Sequence, residues 1–182
     1  QGVAFMCRHF GVRGVIFMPV TTPQQKVQKT RMFGGDAVEV KLIGDYFDNT
    51  LASAQAFCAQ EGAHFLSPFD DEDVIEGQAS VAVEIEQQLG RVPDRIVLPV
   101  GGGGLSSGVY SYFGGATQYT FVEPSGAKSL ARLDLSEDRI CTTILEMLNV
   151  EGIVLEPAGA LSIEELGDLR DDIRGKTVVC VA

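Results

Sequence analysis

A run of four glycines between two apolar segments carries the clearest chemical signal in this sequence. The apolar run at residues 96–100 is typical of a strand buried on both faces, and the residues after the glycines are typical of a helix. Because glycine has no Cβ, the backbone here can approach a ligand closely, and a following helix N-terminus favours an anion. We therefore predict a phosphate site without a basic side chain, in which serines after the loop cap the helix. Its residues are Gly101, Gly102, Gly103, Gly104 and Leu105.

Three other interpretations of this glycine-rich segment agree with the sequence to different degrees. A Walker A loop is excluded, because no Gly-Lys-Ser/Thr follows the glycines. A dinucleotide-binding loop stays open: Gly102, Gly104 and Gly108 form a loosened version of its motif, and Glu123 ends the next predicted strand, where an acid could hold a ribose. A tight turn that only allows close helix–strand packing is the third interpretation.

The composition limits which partners the chain can have. Its 182 residues suffice for one domain or two small ones, and 45% hydrophobic with 21% charged residues is ordinary for a globular protein. The formal net charge of −11 argues against nucleic acid or an anionic membrane as partner. No apolar run reaches the ~18 residues that suggest a membrane span, and no signal peptide is visible. We expect a cytoplasmic protein.

The four cysteines predict free thiols rather than a metal site. They are widely spaced, no Cys-x-x-Cys pair occurs, and the sequence has only two histidines. Free thiols fit a reducing cytoplasm, and a zinc site is not expected. Both ends of the sequence fall inside element patterns, a helix at residues 1–5 and a strand at 178–182, so we expect the chain to be part of a longer polypeptide.

Helices and strands that could position the glycine loop alternate along the sequence. Residues 1–66 predict a small lobe with three helix–strand repeats, including a helix capped by Thr22 with Pro23 as its first residue, and a third strand from His64 to Leu66. Gly11 and Gly62 are predicted to end two helices of this lobe. Residues 67–182 predict a larger lobe that carries the glycine loop and a helix that opens at Glu156–Pro157. The predicted fold class is α/β, with two lobes that are each a mostly parallel open sheet covered by helices.

Three features of the larger lobe are more detailed predictions. One continuous helix starts at Asp73, a helix at residues 140–148 turns Ile144, Leu145 and Leu148 inward, and a turn lies at residues 125–127. Residues 132–139 form no clear element in the sequence pattern.

Short segments spread over the chain resemble the biosynthetic threonine deaminases (threonine ammonia-lyases), members of the fold-type-II, tryptophan-synthase-β-like family that uses pyridoxal phosphate. Their joint occurrence in this order is more specific than any single one. The segments are Gln1–Ala4, Phe17–Pro19, Lys26–Val27, Phe33–Gly35, Pro68–Asp70, Gly77–Gln78, Pro99–Leu105, Val122–Pro124, Glu151–Gly152 and Glu156–Pro157.

The resemblance implies an enzyme that dehydrates and deaminates L-threonine to 2-oxobutanoate and ammonia, the entry to isoleucine synthesis. Pyridoxal 5′-phosphate would be the cofactor, with its phosphate on Gly101–Gly104 and Leu105. A catabolic serine/threonine dehydratase and a serine racemase are sibling alternatives, and a catalytically incomplete fragment is another. The partners implied are a small amino-acid substrate and further copies of the chain, in a dimer or tetramer.

Several family features are missing from these residues or altered in them. The lysine that links the cofactor belongs to a Ser-Phe-Lys motif that would precede Gln1, and no lysine of this chain matches it. The substrate-carboxylate loop would end at Gln1, which becomes the candidate substrate-binding residue. A long family stretch is absent between Leu130 and Ala131, and a shorter one near Gly114. Relatives bind a cation near a Val-Glu-Pro turn, which suggests Glu123 and the carbonyl of Ala127.

Overall fold

The computed structural model describes residues 1–124 and 133–182, and these form two compact units, Gln1–Leu66 and Ser67–Ala182. The turn predicted at residues 125–127 lies outside the described residues, as does the position of Ala127. The two units are built in the same way, with helices and parallel strands alternating along the chain. This is the predicted α/β class.

The first unit is a two-stranded parallel sheet with three α-helices. Glycines in the left-handed conformation end α1 and α3, at Gly11 (φ 65°) and Gly62 (φ 64°), as the sequence predicts. In order the elements are α1 (Gly2–Phe10), β1 (Gly14–Met18), α2 (Gln24–Gly34), a 3₁₀ turn (Gly35–Ala37), β2 (Val38–Leu42) and α3 (Phe47–Glu61).

Two predictions for this unit are wrong in detail. Pro23 precedes α2 as its N-cap, with φ −52° and ψ 132°, so Thr22 does not cap the helix. The segment His64–Leu66 is irregular and mostly exposed rather than a third strand. Within the described part of this unit only β1 and β2 pair, and a segment without a neighbouring strand has no ladder to join.

The second unit is a four-stranded, wholly parallel sheet in the order β5-β4-β3-β6, with helices on both faces. Its strands are β3 (Arg95–Pro99), β4 (Gln118–Pro124), β5 (Leu133–Leu135) and β6 (Val178–Cys180). Its helices are α4 (Glu72–Gln78), α5 (Ser80–Leu89), α6 (Gly104–Phe113), a 3₁₀ turn (Gly114–Ala116), α7 (Glu137–Glu146), a π-helix (Met147–Glu151) and α8 (Pro157–Asp168).

Strand β3 is buried on both faces, as its apolar sequence predicts. On one face Val97 packs in a cluster with residues of α7 and α8, and on the other Ile96 and Leu98 pack with residues of α5 and α6. Ile96, Val97 and Leu98 are fully buried. The strand that leads into the glycine loop is therefore anchored in the core by three consecutive buried residues.

The helices of this unit correct two predictions. The helix expected from Asp73 is divided at Ala79 into α4 and α5. Helix α7 begins at Glu137 and turns Ile140 and Thr143 inward, whereas Leu145 and Leu148 are 57% and 46% exposed. The buried face of α7 is the one that contacts α8. The apolar pattern of residues 140–148 alone does not identify that face. In the described ranges, no helix has the length and apolar character needed to cross a membrane.

Candidate functional site

The glycine loop joins β3 to α6 at the carboxyl edge of the four-stranded sheet. The Val100 amide donates to the carbonyl of Val122 at 2.9 Å, so the chain remains tied to β4 up to the first glycine. In parallel α/β sheets, ligands bind at this edge. The loop predicted from the sequence therefore lies where a ligand site is expected.

The first backbone amides of α6 have no hydrogen-bond partner within the helix. Gly103 is the N-cap residue, with φ 92°, and no side chain caps the helix. The prediction that a serine caps it is wrong, because Ser106 Oγ donates to the Gly103 carbonyl at 2.9 Å instead. The first intrahelical donor is the Ser107 amide, which donates to the Gly103 carbonyl at 2.8 Å. The amides of Gly104, Leu105 and Ser106 precede it and have no partner within the helix. Three amides and the positive end of the helix dipole therefore converge at the loop.

This arrangement fits the phosphate of pyridoxal phosphate. A phosphate monoester needs several donors around its oxygens, and uncapped helix N-termini after glycine turns supply them from the backbone alone. Gly104 is buried and Leu105 packs against the core cluster of α5 and α6, so the donors sit on a fixed part of the fold.

The glycines of the loop have different surroundings. A Cβ on Gly102 would lie 2.5 Å from Phe69 Cγ, and one on Gly104 would lie 3.1 Å from Phe69 Cα and 3.3 Å from the Pro68 carbonyl oxygen. A Cβ on Gly101 would meet no atom of residues 1–124 or 133–182 within 4 Å. Sequence reasoning treated the four glycines as equivalent and missed the Pro68–Phe69 segment, although that segment was among those that resemble the family.

Gly108 and Glu123, the other residues of the dinucleotide hypothesis, are engaged within the protein. A Cβ on Gly108 would lie 2.6 Å from the Ile75 carbonyl oxygen, so this glycine serves helix packing. Glu123 lies near the end of β4, is 5% exposed, and its Oε2 has no hydrogen-bond partner among the residues that the structure describes. A buried carboxylate oxygen without a partner is costly, which singles out this side chain.

A second helix, on the opposite face, starts at the same carboxyl edge of the sheet. Pro157 begins α8, as predicted, and a Cβ on Gly159 would lie 2.8 Å from the Ala182 carbonyl carbon, so this helix start packs closely on the chain beyond β6. Further along α8, Arg139 of α7 bridges Glu164 at 2.7 Å and Asp168 at 2.9 Å. These two carboxylates raise the pKa of Arg139.

The remaining candidate residues lie outside this cluster or outside the described ranges. Gln1 belongs to the first unit and is exposed; its carbonyl accepts from the Phe5 amide at 3.0 Å, and no side chain caps α1. All four cysteines are free thiols. In residues 1–124 and 133–182, no three His, Cys, Asp or Glu side chains are grouped as metal ligands.

Comparison with known sequences identifies relatives along the whole chain. L-threonine dehydratase biosynthetic IlvA of Bacillus subtilis is 39% identical and that of Halalkalibacterium halodurans 36%, each over 224 residues and 100% of this chain. The chain spans about half the length of these relatives, 53% and 54%. Since it has 182 residues, at least 42 of the 224 aligned residues have no counterpart in it.

Solved structures agree on the fold. The processed form of threonine deaminase isoform 2 from Solanum lycopersicum superposes with a TM-score of 0.82 at 27% identity, over 98% of this chain and 61% of that one. A fungal L-serine ammonia-lyase from Rhizomucor miehei gives 0.83 at 18% identity, over 99% and 72%, which supports the fold alone.

The family model described as "Pyridoxal-phosphate dependent enzyme" matches residues 1–134, which include the whole glycine loop. This match favours the cofactor named by the resemblance over a dinucleotide, and it confirms the predicted fold-type-II class. The chain belongs to the pyridoxal-phosphate-dependent enzyme family.

Proposed function

We propose that the full protein dehydrates and deaminates L-threonine to 2-oxobutanoate and ammonia, the first step of isoleucine biosynthesis. The observation that carries this proposal is the amide-lined glycine loop, in a chain whose relatives at 36–39% identity are named biosynthetic L-threonine dehydratases. The sibling reactions, catabolic dehydration of serine or threonine and racemisation of serine, have no comparable support among these sequence relatives.

The backbone of Gly101–Gly104 and Leu105 holds the cofactor phosphate in this proposal. The positive end of α6 offsets the phosphate charge locally, in a chain whose net charge of −11 would otherwise repel it. Pyridoxal phosphate, when bound, supplies an electron sink for the bond broken at the α-carbon of the substrate. The protein contributes binding and orientation at this position.

Gln1 is the proposed contact for the substrate carboxylate in the first unit. It immediately precedes α1, whose start has no side-chain cap, so the first amides of this helix are available to a carboxylate. Replacing Gln1 with Ala is expected to raise KM for threonine more than it lowers kcat.

Glu123, together with the carbonyl of Ala127, is the proposed cation site. Its support is the buried Oε2 of Glu123, which has no partner in residues 1–124 and 133–182 and which a monovalent cation would satisfy. The expected result is higher activity in potassium than in a bulky organic cation, and loss of this difference in Glu123→Gln. An equal response of both proteins would refute the assignment.

We also propose that the two compact units, residues 1–66 and 67–182, are parts of the two lobes of the enzyme. The enzyme is proposed to be a cytoplasmic homodimer or homotetramer. Its proposed partner is a free amino acid, not nucleic acid or a membrane. The free thiols support a reducing compartment, and the net charge of −11 disfavours polyanions. Light scattering of the purified protein measures the oligomer directly.

The deciding experiment is a substrate comparison on the full protein with pyridoxal phosphate added. L-Threonine should yield 2-oxobutanoate, L-serine should be used less well, and D-serine should not form. Gly103→Val, which forces a branched side chain at φ 92°, should abolish both turnover and cofactor binding. A full protein that neither binds the cofactor nor forms 2-oxobutanoate would refute the proposal, and saturable binding of NAD instead would restore the dinucleotide hypothesis.

A further inference from the structure

Four large apolar side chains in the segment that joins α7 to α8 are exposed. They are Leu148, Val150, Ile153 and Val154, and the exposed fraction reaches 77% at Val150 and 84% at Val154. Glu146 and Glu151 are exposed in the same segment. Grouped exposed apolar side chains mark interaction surfaces, whereas single ones are ordinary. We call these six residues the acidic apolar face.

The acidic apolar face belongs to a well-anchored part of the second unit. Ile144 and Leu155, which flank it, pack against the core cluster of α7 and α8. Between them the chain forms the π-helix Met147–Glu151, and the Ile153 amide donates to the Met147 carbonyl at 3.0 Å. Such π-helical turns are rare and are frequent at functional sites. The exposed side chains therefore lie on a pre-organised surface, which lowers the entropy cost of binding a partner.

The charges of the chain are segregated in a way that indicates the partner. Residues 140–169, which contain the acidic apolar face, have six Asp and Glu and no Lys or Arg. Residues 1–34 have five Lys and Arg and no Asp or Glu. A complementary partner for the acidic apolar face combines apolar side chains with positive charge. Residues 1–34 of a second copy of this chain supply both.

Helices α1 and α2 present that combination on the first unit, where they pack on each other. Ion pairs between the residues that the structure describes involve none of the Lys and Arg side chains of α2, so their charges are available. We call the exposed apolar and basic residues of these helices the cationic face. They are Val3, Met6 and Phe10 on α1, and Lys26, Lys29, Arg31 and Met32 on α2.

We propose that the cationic face of one copy binds the acidic apolar face of another. In a dimer with twofold symmetry this contact occurs twice, so the assembly closes. Burial of the apolar side chains supplies affinity, and the opposite charges offset the repulsion between two chains of net charge −11. The inference rests on the homo-oligomer proposed above and names its surfaces; it is independent of the proposed reaction.

The test reverses the charges of each face in the full protein. One variant carries Glu146→Lys with Glu151→Lys, and the other carries Lys26→Glu with Lys29→Glu. All four side chains are exposed, so we expect both variants to fold, which circular dichroism checks. Sedimentation velocity over a range of concentrations gives the assembly state and its dissociation constant.

Matched controls make the same changes of charge outside both faces. They are Asp171→Lys with Asp172→Lys, and Arg170→Glu with Arg174→Glu, all at exposed positions after α8. Glu146→Gln with Glu151→Gln removes the two charges without reversing them and is the milder form of the first variant.

We expect each charge-reversed variant to associate about a hundredfold more weakly than the wild type, because both contacts of its homodimer then join like charges. The Gln variant should associate about tenfold more weakly, and the controls should match the wild type. An equimolar mixture of the two charge-reversed variants should regain association, because both contacts of the mixed dimer again join opposite charges. A contact within one chain cannot produce this recovery.

Three results would overturn the inference. They are a wild type that is monomeric at every concentration tested, a charge-reversed or Gln variant that associates like the wild type, and a mixture that stays dissociated. The last two leave the proposed homo-oligomer standing on another surface, whereas a monomeric wild type removes the homo-oligomer as well. Formation of 2-oxobutanoate by the wild type is measured separately and decides the proposed reaction.

Discussion

Replacing Gly108 with alanine tests whether helix propensity or tertiary packing decides the stability of α6. Gly108 lies in the middle of this helix, where alanine is favoured over glycine by roughly 0.5–1 kcal/mol. The added Cβ would lie 2.6 Å from the Ile75 carbonyl oxygen, 2.7 Å from the Ala79 amide nitrogen and 2.8 Å from the Gln78 carbonyl carbon. All three are backbone atoms at the junction of α4 and α5, so no side-chain rotation relieves the contacts.

The two effects have opposite signs, and the larger one decides the outcome. Overpacking a dense interior costs about 1–3 kcal/mol, and rigid backbone neighbours place this site in the upper part of that range. After subtraction of the helix-propensity gain, we expect Gly108→Ala to lower the free energy of unfolding by about 1–2 kcal/mol. Urea denaturation followed by circular dichroism measures this as a lower midpoint with an unchanged slope.

Gly167→Ala in α8 is the matched control. Gly167 is also helical, but it is exposed and a Cβ there would meet no atom within 4 Å. Only helix propensity then applies, and the control should gain roughly 0.5–1 kcal/mol. If Gly108→Ala unfolds at or above the wild-type urea concentration while Gly167→Ala gains stability, the close approach of α6 to the α4–α5 junction is not as described.

Three other predictions follow from burial. Desolvation of buried Glu165 raises its pKa, so its contribution to stability is present at acid pH and is lost as pH rises through the folded-state pKa. In thermal melts, the unfolding temperature of Glu165→Gln should therefore rise relative to that of the wild type between pH 4 and pH 7. Burial raises the pKa of Cys180 to about 11, so mass spectrometry after iodoacetamide treatment at pH 8 should find exposed Cys141 modified well before Cys180. Leu98→Ala, at a fully buried position, should cost about 2–5 kcal/mol in urea denaturation, whereas Leu145→Ala, at a 57% exposed position, should cost under about 1 kcal/mol.

Local patterns predicted most of the elements that carry the site. The apolar residues 96–100 and the glycines after them predicted a buried strand, a turn and a helix, and the structure has β3 and α6 at these positions. Glycines 11 and 62 and Pro157 predicted helix boundaries because their backbone preferences act locally. Predictions failed where a distant partner decides, as for the strand expected at His64–Leu66, which has no neighbouring strand among the described residues.

The sequence by itself determined the alternation of helix and strand, the position of the glycine loop and the resemblance to the family, because backbone propensity, apolar periodicity and motif order are properties of neighbouring residues. Only the tertiary structure decided which face of α7 is buried, that no serine caps α6, and that Phe69 lies against Gly102. Residues 69 and 102 are far apart along the chain, and their contact depends on how α4 and β3 are placed. Local sequence preferences carry no information on contacts between residues so far apart, so the sequence could not show that Gly102 lies against Phe69.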